Sequence, residues 1–411
     1  MVRNSLINTS TIFLCLIPLA LLSGPFLPDL LLTLIVIIFL FISIREKLWK
    51  YFNNKFFLFF SIFNLYFILR SVLSEYPLLS LESSLFYFRF SLFALAVWFL
   101  IDNNKQLIKY FAITTLVTLI VALADGVYQY IYDINIFGIF VPGVTRMTLL
   151  FNDKMILGGY LARLFPLILA LLIFNIQNNK SKIILLSILI IVTDVLVYAT
   201  GERTALFLLL LSTCLFIFFI SSFRMLRFLT LLLSILIISL ITFSNSELRE
   251  RNIEHTIEQV YPDGKFNYFS PQHEGLYISA WNMFVENPIF GVGPKLFRIY
   301  CSDEKYAADE YECSTHPHNT YIQFLAELGI FGFIFLISIS IYVAYKSIEK
   351  FRSIFNTKIN SLSDYQMCLM ISFILTLWPI IPTQAAFNNW ISIIYFLPIG
   401  FYLHSIYSSK E

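Results

Sequence analysis

The chain alternates between long apolar runs and short polar stretches. The apolar runs are about 16 to 23 residues long, and about 20 apolar residues cross a bilayer as one α-helix. The pattern therefore predicts an all-α polytopic membrane protein with about 12 transmembrane helices and one long polar loop. The predicted spans are 10–27, 29–44, 56–73, 85–101, 110–131, 156–176, 183–200, 204–221, 228–244, 323–345, 367–383 and 388–407.

The first apolar run is read as a retained membrane anchor. No small-residue cleavage site follows it, and the second run begins at once, which is not typical of a secretory signal. Pro18, Pro25 and Pro28 leave a second interpretation open, in which the first two runs build one broken helix.

Composition and charge agree with a membrane protein and predict its orientation. Hydrophobic residues make up 58% of the chain and charged residues only 13%, about half of the share in a soluble protein. The N-terminus, the C-terminal tail and the loops on their side carry 16 of the 28 Lys and Arg residues, whereas 74–84 and 380–388 carry none. Because positive loops stay inside, both termini are expected in the cytoplasm.

The polar stretch 245–322 divides the chain into three parts and is expected on the outer face. The predicted domains are an N-terminal bundle (1–244), this loop, and a C-terminal bundle (323–411). A loop this long is unusual unless it is functional. The spacing of apolar residues in "GLYISAWNMFVEN" predicts an amphipathic helix that ends at Asn287-Pro288, and "GVGP" predicts a tight turn. We expect two or three short helices over the mouth of the bundle.

Two of the five cysteines lie in this loop. Cys301 and Cys313 are twelve positions apart, and an outward-facing loop meets an oxidising compartment, so a disulfide is expected. The alternative is two free thiols that share a loop.

Several ionisable residues lie within or at the ends of predicted spans, where an unpaired charge is costly. Arg70 and Arg89 lie near the outer face and are expected to extend towards water, and Arg163 and Asp194 are offered as a buried pair. Arg203 stands in a minimal turn between two spans, where an anion-binding role competes with an ion pair to Glu202 or Asp194. The ionisable residues are Arg70, Arg89, Asp125, Arg146, Arg163, Asp194, Glu202 and Arg203.

Arginines clustered at the outer surface suit one class of ligand. Arg146, Arg203 and His318 all fall on the outer side of the predicted topology. Guanidinium groups bind phosphate or diphosphate through two parallel hydrogen bonds and keep their charge.

The stretch "STHPHNTY" places His316 and His318 just before a predicted span. They could ligate a metal, although no third ligand at zinc-like spacing is evident and no metal or other cofactor is predicted. They could help to cap the following helix, for which Asn319 offers an N-cap side chain. A histidine is also well suited to act as a general base at neutral pH.

Four stretches resemble the O-antigen ligase and polymerase superfamily. "HNTYIQFLAELGI" (318–330) resembles its H-N-x9-G-aliphatic signature, and "ATGERTALFLLL" (199–210) its Ser-Arg-Thr/Ser-Ala element. "AWNMFVENPIFGVGPKLF" (280–297) resembles its W-x-x-A/M-F and P-hydrophobic-G-V-G-P-x-x-F element, and 145–167 resembles its R-x-x-G segment. The four elements occur in the family's order.

The resemblance implies a GT-C-like membrane glycosyltransferase that is metal-independent and inverts the sugar carbon. It would move a glycan from undecaprenyl diphosphate to a lipid A-core hydroxyl at the periplasmic face of the inner membrane. His318 would act as the general base, and Arg203 would hold the leaving diphosphate. The implied substrate-binding or supporting residues are Arg146, Lys295, Arg298, Glu202, His316 and Asn319.

This sequence departs from the family pattern in three places. Tyr277 stands where the family has an arginine four residues before Trp281, so Arg146, Lys295 or Arg298 would have to replace that cation. Glu202 replaces the serine before the motif arginine, and Leu149 replaces the usual glycine.

Other functions remain open at this point. A polymerase of the same superfamily would use the next repeat unit as the acceptor. A transporter for polyanions or lipid-linked glycans would line its path with the arginines, but such proteins are often built from internal repeats, which the sequence does not show. A structural membrane scaffold is the last alternative, and no feature points to nucleic acid.

Overall fold

The computed structural model describes residues 2–138, 157–175, 180–261, 264, 266–308, 313–356, 359 and 361–408. Over these residues the chain forms helices and turns without a β-strand, which confirms the predicted all-α class. The helices are α1 (Val2–Leu22), α2 (Phe26–Glu46), α3 (Lys55–Val72), α4 (Pro77–Ser84), α5 (Phe88–Asn103), α6 (Leu107–Tyr132), α7 (Leu157–Asn175), α8 (Lys180–Ala199), α9 (Arg203–Phe219), α10 (Arg224–Ser244), α11 (Ser246–Arg249), α12 (His255–Val260), α13 (Pro271–Glu286), α14 (Phe297–Tyr300), α15 (Thr320–Phe355), α16 (Asp364–Thr376) and α17 (Asn389–Tyr407).

Within the described ranges, nine helices are long and apolar enough to cross a membrane, with Pro77–Asn103 counted as one. Three shorter apolar helices, Ile183–Ala199, Arg203–Phe219 and Asp364–Thr376, lie at three of the other predicted spans. The chain is therefore a multi-pass membrane protein, and the count of twelve stays a prediction. The first two apolar runs form two separate helices, joined at Gly24.

The centre of the bundle is α5, which is buried along almost its whole length from Phe90 to Ile101. It packs against α17 and α2, while α7 packs against α16 and α9. Its burial on all sides by other helices, rather than its apolar composition alone, places α5 inside the bundle.

A buried ion pair joins α8 to α10. Arg227 donates to both carboxylate oxygens of Asp194, at 2.6 and 2.9 Å, and Ser234 donates to the same carboxylate at 2.8 Å. The predicted pairing of Arg163 with Asp194 is therefore wrong. Arg163 instead donates to the carbonyl oxygen of Gly159 at 3.3 Å, one turn earlier in its own helix.

The two arginines expected to extend towards water have protein partners. Arg89 forms an ion pair with Asp29 at 2.8 Å. Arg70, at the end of α3, donates to the carbonyl oxygens of Phe290 at 2.8 Å and Gly291 at 2.7 Å. Arg70 thereby ties the long loop to the end of the bundle.

The long loop carries the short helices α11 to α14. The predicted amphipathic helix is confirmed as α13, which begins with Pro271 at its first position and ends before Asn287-Pro288. The following turn at 289–294, here called the glycine turn, lies on α3 and α4: Ser80 donates to the carbonyl oxygen of Pro294 at 2.8 Å. The loop therefore covers one end of the bundle.

The glycine turn pairs with α15 through backbone atoms. Gly329 interrupts that helix with φ 63° and ψ −165°, and the turn enters the gap. The hydrogen bonds run from Val292 N to Ala326 O (2.8 Å), from Gly293 N to Glu327 O (2.9 Å) and from Ile330 N to Pro288 O (2.9 Å).

Two glycines permit this close approach. A Cβ on Gly329 would lie 2.4 Å from the carbonyl oxygen of Ile289, and a Cβ on Gly291 would lie 2.4 Å from the carbonyl carbon of Glu327. Both glycines also have positive φ, which a residue with a Cβ adopts only under strain. The glycines of the stretches 280–297 and 318–330, which are far apart in the sequence, thus meet at one contact.

Candidate active site

The histidine segment, residues 314–320, lies against the connection between α16 and α17. Thr383 N donates to the carbonyl oxygen of His318 at 2.6 Å, and the Thr320 and Thr383 hydroxyl oxygens are 3.0 Å apart. His316 Nε2 lies 3.2 Å from the carbonyl oxygen of Thr383. These contacts hold the segment at the start of α15.

His316 supports this arrangement as a neutral ring. A carbonyl oxygen only accepts, so Nε2 carries the hydrogen, and Nδ1 accepts from the Thr315 hydroxyl at 2.9 Å. Burial lowers the pKa of His316 to about 3, with smaller contributions from the nearby charges of His318 and Arg298, although the bond to Thr383 opposes the shift. Both nitrogens of His316 are engaged by the protein.

His318 has a strained backbone and a neutral ring. Its φ of 54° lies in the left-handed region, which costs a residue with a side chain about 1–3 kcal/mol and is a feature of functional sites. Burial lowers the pKa of His318 and the charge of His273 adds to that, against the hydrogen bond to Thr383. Ser314 Oγ lies 3.4 Å from Nε2. A neutral imidazole can accept a proton.

Asn319 caps α15, as the sequence indicated. Its Oδ1 accepts from the backbone N–H groups of Tyr321 at 2.9 Å and Ile322 at 3.2 Å, and its Nδ2 donates to the carbonyl oxygen of Pro379 at 2.8 Å. The side chain therefore has a structural task beside His318, and its contact with a substrate stays a prediction.

Arg203 lies at the end of the turn between α8 and α9. Gly201, at φ 65°, reverses the chain, and Arg203 is the first residue of α9. The Glu202 carboxylate accepts from Gly158 N at 2.7 Å and Gly159 N at 3.0 Å, so that it caps the start of α7. Asp194, the other predicted partner of Arg203, is bound to Arg227.

His273 is a further histidine of the long loop that lies next to His318. Its ring centroid lies 5.7 Å from that of His318, and Ser270 Oγ holds its Nδ1 at 2.7 Å. Burial lowers the pKa of His273, and the charge of Arg203 lowers it further, so Arg203 lies within electrostatic reach. The sequence analysis did not predict His273 as a site residue. The one sequence signal for His273 was its position, one helical turn before Tyr277. Tyr277 stands where the related sequences have an arginine.

The other predicted cations lie in different places. Lys295 forms an ion pair with Glu82 of α4, and its contact with a substrate stays a prediction. Arg298 lies close enough to lower the pKa of His316, and its Nε is buried with no hydrogen-bond partner among the described residues. Arg146 lies outside the described residues.

A disulfide joins Cys301 to Cys313, directly before the histidine segment. Cys301 is buried, and its Sγ lies 3.8 Å from the carbonyl oxygen of Ser314. The link therefore restrains the chain five residues before His318. In the parts of the chain that the structure describes, no group of three or more His, Cys, Asp or Glu is placed to hold a metal ion.

Part of the chain matches a known protein family. The O-antigen ligase family model matches residues 186–337, a range that contains Arg203, the long loop and the histidine segment. This match confirms the predicted relationship to the O-antigen ligase superfamily and supports a membrane enzyme of the glycosyltransferase type that uses lipid-linked glycans. No curated protein matches the chain.

Proposed function

We propose that this chain, a member of the O-antigen ligase superfamily, is a glycan ligase of the bacterial inner membrane. It moves a glycan from undecaprenyl diphosphate to a hydroxyl of a lipid A-core sugar at the periplasmic face. The observation that carries the proposal is the contact between the rings of His273 and His318, with Arg203 within electrostatic reach of His273, where the long loop covers the end of an apolar bundle.

Arg203 is suited to the diphosphate of the donor. It is half-buried and opens the 17-residue helix α9, whose first turn presents a partial positive charge. A guanidinium binds two phosphate oxygens at once and does not lose its charge. Negative charge grows on the leaving diphosphate as the sugar bond breaks, and a fixed cation there stabilises the transition state. Because Arg203 offsets this charge, the proposed reaction needs no metal step.

His318 is suited to the acceptor. In its neutral form it takes the proton of the attacking hydroxyl while the oxygen forms a bond to the anomeric carbon. The bond from that carbon to the diphosphate oxygen breaks with its electron pair, and undecaprenyl diphosphate leaves. A single in-line displacement of this kind inverts the configuration of the sugar carbon.

The distribution of charge and cysteine supports the proposed orientation. The loops opposite the long loop carry most of the Lys and Arg, which favours their cytoplasmic placement. The disulfide belongs to the loop, and disulfides persist in oxidising compartments such as the bacterial periplasm.

The test is transfer in vitro by the full chain in lipid nanodiscs. The donor is a glycan on undecaprenyl diphosphate, offered with lipid A-core or with a second donor molecule. Glycan on lipid A-core supports the ligase, whereas a lengthened glycan on the donor lipid contradicts it and identifies a polymerase. EDTA is expected to leave the rate unchanged.

Three variants locate the chemistry. His318→Ala is expected to lower the rate by about 100-fold or more, as removal of a general base does. Arg203→Lys keeps the positive charge but cannot bind phosphate in a bidentate manner, so the transfer rate is expected to fall by about 100-fold. His255→Ala serves as the control, because His255 is an exposed histidine of the same loop. Full activity in both site variants would show that the assignment is wrong.

A further inference from the structure

His273 lies beside His318 and within electrostatic reach of Arg203. Its ring lies edge-on to His318, with 5.7 Å between centroids, and its Nδ1 is 2.7 Å from Ser270 Oγ. Ser270 is the N-cap residue of α13 and His273 is the third residue of that helix. The ring is therefore fixed by the helix start rather than by a flexible loop.

We propose that His273 supplies a second positive charge to the diphosphate of the donor, by taking up a proton when the diphosphate binds next to Arg203. The inference rests on the proposed function, since it concerns the same ligand. It assigns to His273 a binding role that the sequence analysis had offered to Arg146, Lys295 or Arg298.

The geometry leaves one ring atom for a ligand. Ser270 occupies Nδ1, and in the described part of the chain no hydrogen bond reaches Nε2 of His273. A protonated imidazole donates from both nitrogens, so Nε2–H would point a charge-assisted hydrogen bond at a phosphate oxygen. This is the stronger class of hydrogen bond.

The charges around His273 explain why the proton arrives with the ligand. The titratable groups that face it are Arg203 from α9, His318 from the histidine segment and Tyr277 from its own helix. With Arg203 positive and the ring partly buried, the neutral form of His273 is favoured before the diphosphate binds. A diphosphate brings at least two negative charges, which offset Arg203 and favour the imidazolium. Two adjacent cations are thereby avoided until the diphosphate is bound.

The surroundings of Tyr277 show why the charge comes from His273. Tyr277 occupies the position of the family's arginine, but it is buried and packs on Phe269, with 5.0 Å between ring centroids. One turn earlier on α13, His273 faces the site. In this proposal His273, which can gain and lose a proton, takes the place of the permanently charged arginine that related sequences carry one helical turn later.

The experiment measures binding of undecaprenyl diphosphate to the full chain in nanodiscs between pH 6.5 and 8.5. His273→Arg carries a permanent charge, His273→Gln keeps a donor that cannot be protonated, and His255→Ala is the control. The ratio of wild-type to His273→Arg affinity cancels the ligand's own titration. That ratio is expected to fall by up to about tenfold per pH unit as pH rises, since one proton is taken up on binding. His273→Gln is expected to bind about tenfold more weakly than wild type at pH 6.5 and to match it at pH 8.5.

Each other result has a distinct meaning. A constant ratio of wild-type to His273→Arg affinity, or wild-type binding by His273→Gln at pH 6.5, would overturn the role of His273. If Arg203→Ala still loses binding in that case, the proposed function stands without it. If the wild-type chain does not bind undecaprenyl diphosphate at any pH, the proposed function itself fails and the inference fails with it.

Discussion

Replacing Gly329 by alanine tests the contact between the glycine turn and α15. Gly329 has φ 63° and ψ −165°, a conformation that is open almost only to glycine. The added methyl group would lie 2.4 Å from the carbonyl oxygen of Ile289 and 2.6 Å from Phe290 N. Those are backbone atoms and cannot rotate away, so the turn must separate from the helix.

The expected loss of local stability has two parts: backbone strain at residue 329 and the loss of hydrogen bonds between the glycine turn and α15. Holding alanine in this backbone conformation costs about 1–3 kcal/mol. Separation breaks three backbone hydrogen bonds between the two elements, each contributing about 1 kcal/mol net. Together these losses amount to about 4–6 kcal/mol of local stability, and the lower end of this range corresponds to about a thousandfold change in an opening equilibrium.

The assay is amide hydrogen exchange of Val292, Gly293 and Ile330, whose N–H groups make the three bonds. Exchange at these sites is expected to speed up by at least about a thousandfold, in proportion to the change in the opening equilibrium constant. Gly264→Ala is the matched control, because Gly264 also has positive φ, at 76°, but nothing lies within 4 Å of the added methyl group. Unchanged exchange in Gly329→Ala would refute the steric argument.

Three further predictions concern stability and the placement of His318. The pKa of His316 is about 3 in the folded chain and about 6.5 when unfolded, so stability is highest above pH 6.5 and falls by up to about 1.4 kcal/mol per pH unit below it. Thermal unfolding in detergent at pH 7 and pH 5 measures this loss of stability. His316→Gln should make the stability depend less steeply on pH. Asp194→Ala should lower the free energy of unfolding by about 3–5 kcal/mol, because Arg227 stays buried without its ion-pair partner. A smaller loss in the double variant Asp194→Leu/Arg227→Met would show that the unpaired charge, and not lost packing, causes most of this cost. Asn319→Ala and Asn388→Ala should each cost about 1–2 kcal/mol as lost caps, but only the first should also lower transfer activity.

The sequence predicted the elements whose signals are local. Apolar runs located the membrane helices, and the Asn-Pro pair after Trp281 located the end of α13. Asn319 was predicted as a cap from its position before an apolar run, and the structure places its side chain on the first turn of α15. In each case the deciding residues lie within a few positions of one another.

What depends on the rotation of one helix against another was not predictable. Asp194 pairs with Arg227 rather than with Arg163, because the facing sides of α8 and α10 meet there. Arg70 binds backbone carbonyls 220 residues away, which no side-chain pattern encodes. His273 belongs to the site because α13 lies across the bundle end, and its spacing in the sequence carried no motif.

The backbone contact at Gly329 also determines how this region can change during evolution. Ile289 and Ile330 join the contact through backbone atoms, while their side chains are 52% and 40% exposed. Drift at these two positions should therefore be tolerated, whereas a side chain at Gly291 or Gly329 would need a simultaneous shift of the opposite backbone. The two glycines are expected to be conserved together, although they lie 38 positions apart in the chain.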